Sequence, residues 1–203
     1  QIQDFLEPSS VNPQTALVLV NAIYFKGIWK TAFKEEHTQE VPFNVTEEES
    51  RPVQMMCQNS TFKLARVEED KIKILELPYA SGELSLLVLL PDDISGLAQV
   101  WPWQGKQKGY TFSGAWLLSD LLLPLANLSG ISSAEGLRVS EAIHEAYVEV
   151  TEEGTEEAGS ADDIEDIQHS SEFEEFRADH PFLFLVKHNP SNLILFFGRY
   201  CSP

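Results

Sequence analysis

The sequence predicts a fold built mainly of β-strands in antiparallel sheets, with one long acidic segment exposed between two core strands. Residues 142–150 place β-branched and aromatic side chains in near-alternation with polar ones, which is typical of a strand. Residues 189–192, Asn-Pro-Ser-Asn, separate two apolar runs and indicate a β-hairpin. Residues 152–175 carry eleven Asp and Glu and no Lys or Arg. Such a segment buries too little apolar surface to offset the entropy of ordering it, so we expect it to be exposed.

The remaining strands follow from apolar patterning. Residues 15–25 are apolar on both alternating sets, which predicts a central strand covered on both faces, with Asn21 as a buried polar residue that needs hydrogen-bond partners. Residues 84–90 are almost continuously apolar and should lie in the core. The other predicted strands are residues 41–45, 53–67, 72–78, 182–188 and 193–200.

Composition restricts the function. A chain of 203 residues fits one domain. Its net charge of −18 argues against nucleic acid, heparin-like polyanions and anionic membrane surfaces as partners. The longest apolar runs are too short to span a bilayer. Cys57 and Cys201 could pair, but two buried free thiols are the favoured interpretation.

No enzyme motif is recognisable in the sequence. A glycine-rich phosphate loop, Gly-x-Ser-x-Gly, paired-cysteine spacing and His-Glu-x-x-His are all missing. We therefore expect no catalysis, no cofactor and no metal site. Asp179 and His180 are adjacent, and neighbouring residues on a strand point to opposite faces, so a structural role for His180 is favoured over an acid/base pair.

Three segments resemble one protein family. Residues 152–156, Glu-Glu-Gly-Thr-Glu, resemble the hinge of a serpin reactive-centre loop. Residues 176–184, Phe-Arg-Ala-Asp-His-Pro-Phe-Leu-Phe, together with residues 197–199, are similar to the C-terminal serpin signature. Residues 17–27 resemble a further serpin segment. The chain is thus identified as a member of the serpin family, closest to its ovalbumin-like branch.

The resemblance implies a partial serpin domain over residues 1–203, of the α+β class, from which the N-terminal helical half of the fold is missing. Residues 1–98 hold the central strand and the strands after it, and residues 125–203 hold the hinge strand, the loop and the C-terminal hairpin. Residues 99–124 do not fit the family pattern. They are either a genuine alternative segment or translated non-coding sequence, and the second interpretation is favoured.

The resemblance also assigns roles to single residues. Asn21 and His144 would face each other where the main sheet opens, with Trp29 covering the upper end, although both polar residues could simply be satisfied core groups. The family pairs the hinge glutamate, here Glu152, with a lysine on a strand that this chain lacks. The hinge residues are Glu152, Gly154, Thr155, Glu157, Gly159 and Ala161.

In this family a serine protease attacks the loop, which then inserts into the main sheet and traps the acyl-enzyme. If Thr155 enters first, alternation places Glu157, Asp163 and Glu165 on the inward face. Burying unpaired carboxylates is costly, so slow insertion and a non-inhibitory or substrate-like storage role are expected. The alternative is a working serine protease inhibitor. A third hypothesis is a chain too incomplete to fold.

Other expectations concern the loop and the surface. Counting forward from Gly154 with the usual inhibitor spacing places the scissile bond at Gln168–His169. Counting back from residues 174–177 along the ovalbumin-like pattern places it near Ser170–Ser171. Only Lys26, Lys30 and Lys34 form a spaced basic set, so we expect no appreciable heparin affinity. The resemblance implies an extracellular protein, for which Asn44, Asn59 and Asn127 lie in N-glycosylation sequences.

Overall fold

The computed structural model describes residues 17–97, 127–131, 137, 139–156 and 174–203. Its strands and two 3-10 turns, in chain order, are β1 (Val18–Lys26), β2 (Trp29–Thr31), Glu35–His37, β3 (Gln39–Asn44), β4 (Ser50–Met55), β5 (Lys63–Val67), β6 (Ile72–Pro78), β7 (Leu84–Pro91), Ile94–Gly96, β8 (Glu141–Glu149), β9 (Gly154–Glu156), β10 (Phe182–His188) and β11 (Leu193–Tyr200). The expected atypical segment, residues 99–124, lies outside the described residues. The chain divides into one unit of residues 1–26 and 107–149, and a second of residues 27–106 and 150–203.

The first unit contains a parallel pair of strands, β1 and β8, with Asn21 opposite His144. The prediction that β1 is covered on both faces is wrong for the described part of the chain. Seven of its nine residues are exposed, among them Leu19 at 44% and Tyr24 at 50%. The reason is that β8 is its only strand neighbour in the described part of the chain, so β1 lies at the edge of a two-stranded sheet. Tyr24 stacks on Tyr147 with ring centroids 5.7 Å apart.

The second unit is organised around a five-stranded antiparallel sheet in the order β11-β10-β7-β6-β5. The predicted strands at residues 72–78, 182–188 and 193–200 are confirmed, and so is the core position of residues 84–90. Because β7 lies in the middle of the sheet, its side chains are largely buried. The sheet confirms the prediction of mainly antiparallel strands.

A separate antiparallel hairpin is formed by β3 and β4. The predicted single strand at residues 53–67 is wrong, since β4 ends at Met55 and β5 begins at Lys63. The physical reason is that β4 pairs with β3 whereas β5 pairs with β6 in a different sheet. The chain therefore leaves one sheet and enters another through residues 56–62.

Two side-chain predictions need correction. Cys57 and Cys201 are free thiols as expected, but Cys57 is exposed and Cys201 is half-buried, because both lie outside the strands. Asp179 and His180 do not point to opposite faces. They precede β10, and the His180 Nδ1 lies 2.9 Å from the Asp179 Oδ1. The His180 Nε2 lies 2.7 Å from the Pro91 carbonyl oxygen, which supports a structural role.

A polar cluster lies within the five-stranded sheet. The fully buried Ser85 donates its hydroxyl to the Glu76 carboxylate at 2.9 Å and accepts from the Asn189 amide at 3.0 Å. Burial of Glu76 acts to raise the pKa of its carboxyl. The hydrogen bond from Ser85 and the positive charge of Lys63 outweigh this and hold the pKa below its ordinary value of 4.5.

This lowered pKa predicts an acid-dependent contribution to stability. The folded state favours the Glu76 carboxylate more than the unfolded state does, so the stabilisation is complete above pH 4.5 and is lost as the pH falls through the lower, folded-state pKa. We expect the free energy of unfolding of wild type minus that of Glu76→Gln to be largest near neutrality and to shrink in acid. Urea titrations across this pH range measure the difference.

A variant of the hydrogen-bond partner is the control for this prediction. Ser85→Ala removes the main group that lowers the Glu76 pKa, so the same comparison in a Ser85→Ala background should depend less on pH. A wild-type advantage that grows as the pH falls would contradict the assignment.

Candidate functional site

The segment that resembles the reactive-loop hinge is paired with the chain that follows β1. Strand β9 runs parallel to β2, with Gly154 opposite Trp29. The Trp29 N–H donates to the Glu153 carbonyl at 2.8 Å, and the Phe33 N–H donates to the Glu152 carbonyl at 3.0 Å. The carbonyl groups of two consecutive hinge residues thus accept hydrogen bonds from the chain around β2, which fixes the position of the start of the hinge.

Gly154 is required at its position by close packing. A Cβ atom there would lie 2.3 Å from the Ala32 backbone nitrogen and 2.4 Å from the Ala32 Cα. Real Cβ atoms do not approach backbone this closely, so a larger residue would push β9 away from β2. The sequence identified Gly154 by resemblance, and its partner Ala32 could be found only from the structure.

Trp29 is the anchor of this pairing. It is 2% exposed, and its indole Nε1 donates to the Thr151 carbonyl at 2.6 Å. Its ring stacks on Tyr79 with centroids 4.7 Å apart and contacts the edge of Phe33. Burial raises the pKa of Tyr79 to about 12, so its ring packs as a neutral phenol at neutral pH.

Glu152 has a partner that the sequence did not indicate. The Thr38 hydroxyl donates to the Glu152 Oε1 at 2.9 Å. The lysine that the resemblance implies as a partner of Glu152 belongs to a strand that this chain lacks, so the contact with Thr38 is a different interaction. A spacing of 114 residues between the two partners leaves no local sequence signal that could have predicted the contact.

Thr155 is exposed, and its hydroxyl donates to the Lys30 carbonyl at 3.0 Å. The Thr151 hydroxyl oxygen is buried and has no hydrogen-bond partner among the described residues. The hydrogen bond from Thr155 to Lys30 thus adds a side-chain contact to the pairing of β9 with β2.

The residues assigned to the opening of the sheet lie in the first unit. The Asn21 Nδ2 is 2.9 Å from the His144 Nδ1, and both side chains are exposed rather than buried. The contact brings the two residues together, and their role in sheet opening stays a prediction.

The same strand pair carries a charged cluster that the sequence analysis missed. The Tyr24 hydroxyl donates to the Glu149 carboxylate, and Lys26 forms an ion pair with Glu149 at 3.7 Å. The hydrogen bond from Tyr24 lowers the pKa of Glu149 and raises the pKa of Tyr24. The register of β1 and β8 brings these side chains together, and neither strand pattern alone indicates it.

Seven predicted site residues lie outside the described residues. They are Glu157, Gly159, Ala161, Gln168, His169, Ser170 and Ser171. In the described ranges, no group of three or more His, Cys, Asp and Glu side chains is placed to hold a metal ion. None of the described helices has the length and apolar character needed to cross a membrane.

Comparison with known proteins identifies the family. The model of the serpin family, described as serine protease inhibitor, matches residues 1–103 and 118–203. The ovalbumin-related protein X of Gallus gallus is 51% identical, with the full length of both chains aligned. The ovalbumin of Dromaius novaehollandiae is 53% identical over all of this chain, which spans 59% of that protein.

The fold comparison agrees. A crystal structure of uncleaved ovalbumin matches all of this chain and 62% of its own, with a TM-score of 0.84 and 47% identity. A crystal structure of maspin matches with a TM-score of 0.77 at 31% identity. The chain thus spans about three fifths of the ovalbumins that it matches. The predicted family and the partial serpin fold are confirmed: the chain belongs to the serpin family and is of the ovalbumin type.

Proposed function

We propose that this chain forms part of a secreted, non-inhibitory serpin that serves as a soluble storage protein and is cleaved by proteases as an ordinary substrate. The observation that carries this proposal is the set of carboxylates that alternation from Thr155 places on the inward face of the loop, and the pairing of β9 with β2 is a second obstacle to insertion. Catalysis forms no part of the proposed role. The resemblance to ovalbumins supports the extracellular location.

The pairing opposes insertion of the loop. A chain that leaves the end of β8 and re-enters between the parallel strands β1 and β8 must run antiparallel to both. The parallel pairing of β9 with β2, and the hydrogen bond from Thr155 to the Lys30 carbonyl, would then be lost. Insertion therefore begins with the breaking of contacts that the uncleaved hinge already makes.

The sequence of the loop opposes insertion more strongly. Alternation from Thr155 places Glu157, Asp163 and Glu165 in the set that would face the core. Each buried carboxylate without a partner costs several kcal/mol or must take up a proton. Slow insertion gives a bound protease time to hydrolyse the acyl-enzyme and leave.

A protease panel tests the proposal on the full-length protein. We expect trypsin-, chymotrypsin- and elastase-like serine proteases to cleave the loop without forming a complex that survives SDS electrophoresis, and we expect cleavage to leave the Tm nearly unchanged. An SDS-stable adduct with any of these proteases would instead establish a working inhibitor.

Matched charge variants separate position from charge. The triple variant Glu157→Ala, Asp163→Ala, Glu165→Ala clears the inward set, whereas Glu156→Ala, Asp162→Ala, Asp166→Ala removes as many carboxylates from the outward set. The inward variant should gain thermal stability after cleavage, because its loop can insert. The outward variant should not. Equal behaviour of the two variants would refute the alternation argument.

Gly154→Ala tests the hinge pairing itself. The added Cβ clashes with the Ala32 backbone and should cost about 1–3 kcal/mol of local stability. We expect amide hydrogen exchange at Trp29 and Phe33, whose N–H groups donate to the hinge, to accelerate about tenfold or more.

Gly130→Ala is the control for this variant, because a Cβ at that position meets nothing within 4 Å. Its exchange at Trp29 and Phe33 should match that of wild type. Unchanged exchange in Gly154→Ala would mean that β9 is not held against β2 in solution.

A further inference from the structure

Three Asn-x-Ser/Thr sequences occur in the described residues, and they differ in their surroundings. They begin at Asn44, Asn59 and Asn127. The sequence rule alone treats them equally. A glycan is bulky and must remain in solvent after the chain folds, so the local structure distinguishes the three sites.

Asn59 lies in the connection between β4 and β5. Asn59, Ser60 and Thr61 are all exposed, and hydrogen bonds to other described residues engage none of their side chains. The connection belongs to neither of the two sheets that it joins. A glycan on Asn59 would thus displace no described contact.

Asn44 is less suitable. It ends β3, is half-buried, and donates its backbone N–H to the Asp179 carbonyl at 2.7 Å. The Thr46 hydroxyl, which belongs to the same sequence, accepts hydrogen bonds from the backbone of Glu48 at 3.2 Å and Glu49 at 3.0 Å. A glycan here would crowd the segment that docks through Asp179.

Asn127 is exposed but is part of a closed turn. Its Oδ1 accepts from the Ser129 N–H at 3.1 Å, and Leu128 between them is 8% exposed. The Ile131 N–H also donates to the Leu128 carbonyl at 2.9 Å. The side chain of Asn127 is thus held within the turn, beside the buried Leu128, where a glycan would have less room than on Asn59.

We infer that Asn59 is the N-glycosylation site of this protein and that Asn44 and Asn127 stay largely unmodified. The inference rests on the secretion proposed above. In the transfer reaction, the Asn59 amide nitrogen bonds to the anomeric carbon of an oligosaccharide carried on a lipid diphosphate. The bond from that carbon to the phosphate oxygen breaks, the amide loses one proton, and the lipid diphosphate leaves.

The site has a consequence for a neighbouring thiol. Cys57 is free and exposed, and it lies two residues before Asn59 on the same connection. Exposed thiols are the ones open to oxidation and exchange. A glycan at Asn59 would cover Cys57 and slow its reaction with bulky reagents.

The test uses the full-length protein expressed in cells behind a heterologous signal peptide, so that site choice does not depend on the natural route of secretion. Enzymatic release of the glycans converts each occupied Asn to Asp, and peptide mass spectrometry reads the occupancy of the three sites. We expect Asn59 to have the highest occupancy, and we expect glycan release to speed the labelling of Cys57 by a bulky maleimide several-fold. Protein isolated from the natural source tests secretion separately.

Matched variants sharpen the result. Thr61→Ala destroys the sequence while keeping Asn59 and should abolish its glycan, whereas Thr61→Ser keeps the sequence and should retain it. Occupancy at Asn44 or Asn127 equal to or above that at Asn59, or an unmodified Asn59 in secreted protein, would overturn the inference. A natural protein that is not secreted would refute only the proposed location.

Discussion

The contact between the buried Trp29 and the backbone of Thr151 fixes the position of the chain at the start of the acidic segment. The Trp29 indole is held by Tyr79 on one face, and its N–H is directed at the Thr151 carbonyl. The next backbone groups, at Glu152 and Glu153, are bonded to the same short stretch of chain. Because three consecutive carbonyl groups, at residues 151–153, accept these hydrogen bonds, β9 starts from a fixed position. This constraint sets which residues of the loop would face inward, because the alternation is counted from Thr155.

Two obstacles to insertion are present, and their magnitudes differ. Each hydrogen bond that ties β9 to β2 is worth about 0.5–1.5 kcal/mol net, and equivalent bonds would form again in an inserted strand. The hinge pairing therefore delays insertion but does not make its product unstable. A carboxylate taken into a sheet core finds no such replacement unless a cation is buried with it. The charges of the loop, rather than the contacts of its hinge, decide the outcome.

The sequence predicted those parts of the fold that depend on local pattern. The strands from Ile72 to Pro91 follow from apolar runs, and the hairpin around Asn189–Asn192 follows from its turn residues. Contacts between distant segments were missed. The Thr38–Glu152 hydrogen bond joins residues with no shared pattern, and the break between β4 and β5 arises because each strand pairs with a different partner. The exposure of β1 could not be predicted either, since an apolar pattern indicates what a strand could bury and not what covers it.

The acidic loop adds to the net charge and therefore to solubility, but solubility does not explain why its inward positions are acidic. Residues 152–175 supply eleven of the 32 acidic residues and none of the 14 basic ones. The net charge of −18 would change only to −15 if Glu157, Asp163 and Glu165 were neutral, which is −18 plus three. A protein of this size with −15 is still strongly charged, so solubility does not require acid at these three positions. A loop that must insert has to keep its inward face small and uncharged. The three carboxylates therefore favour the proposed storage role, which does not require insertion.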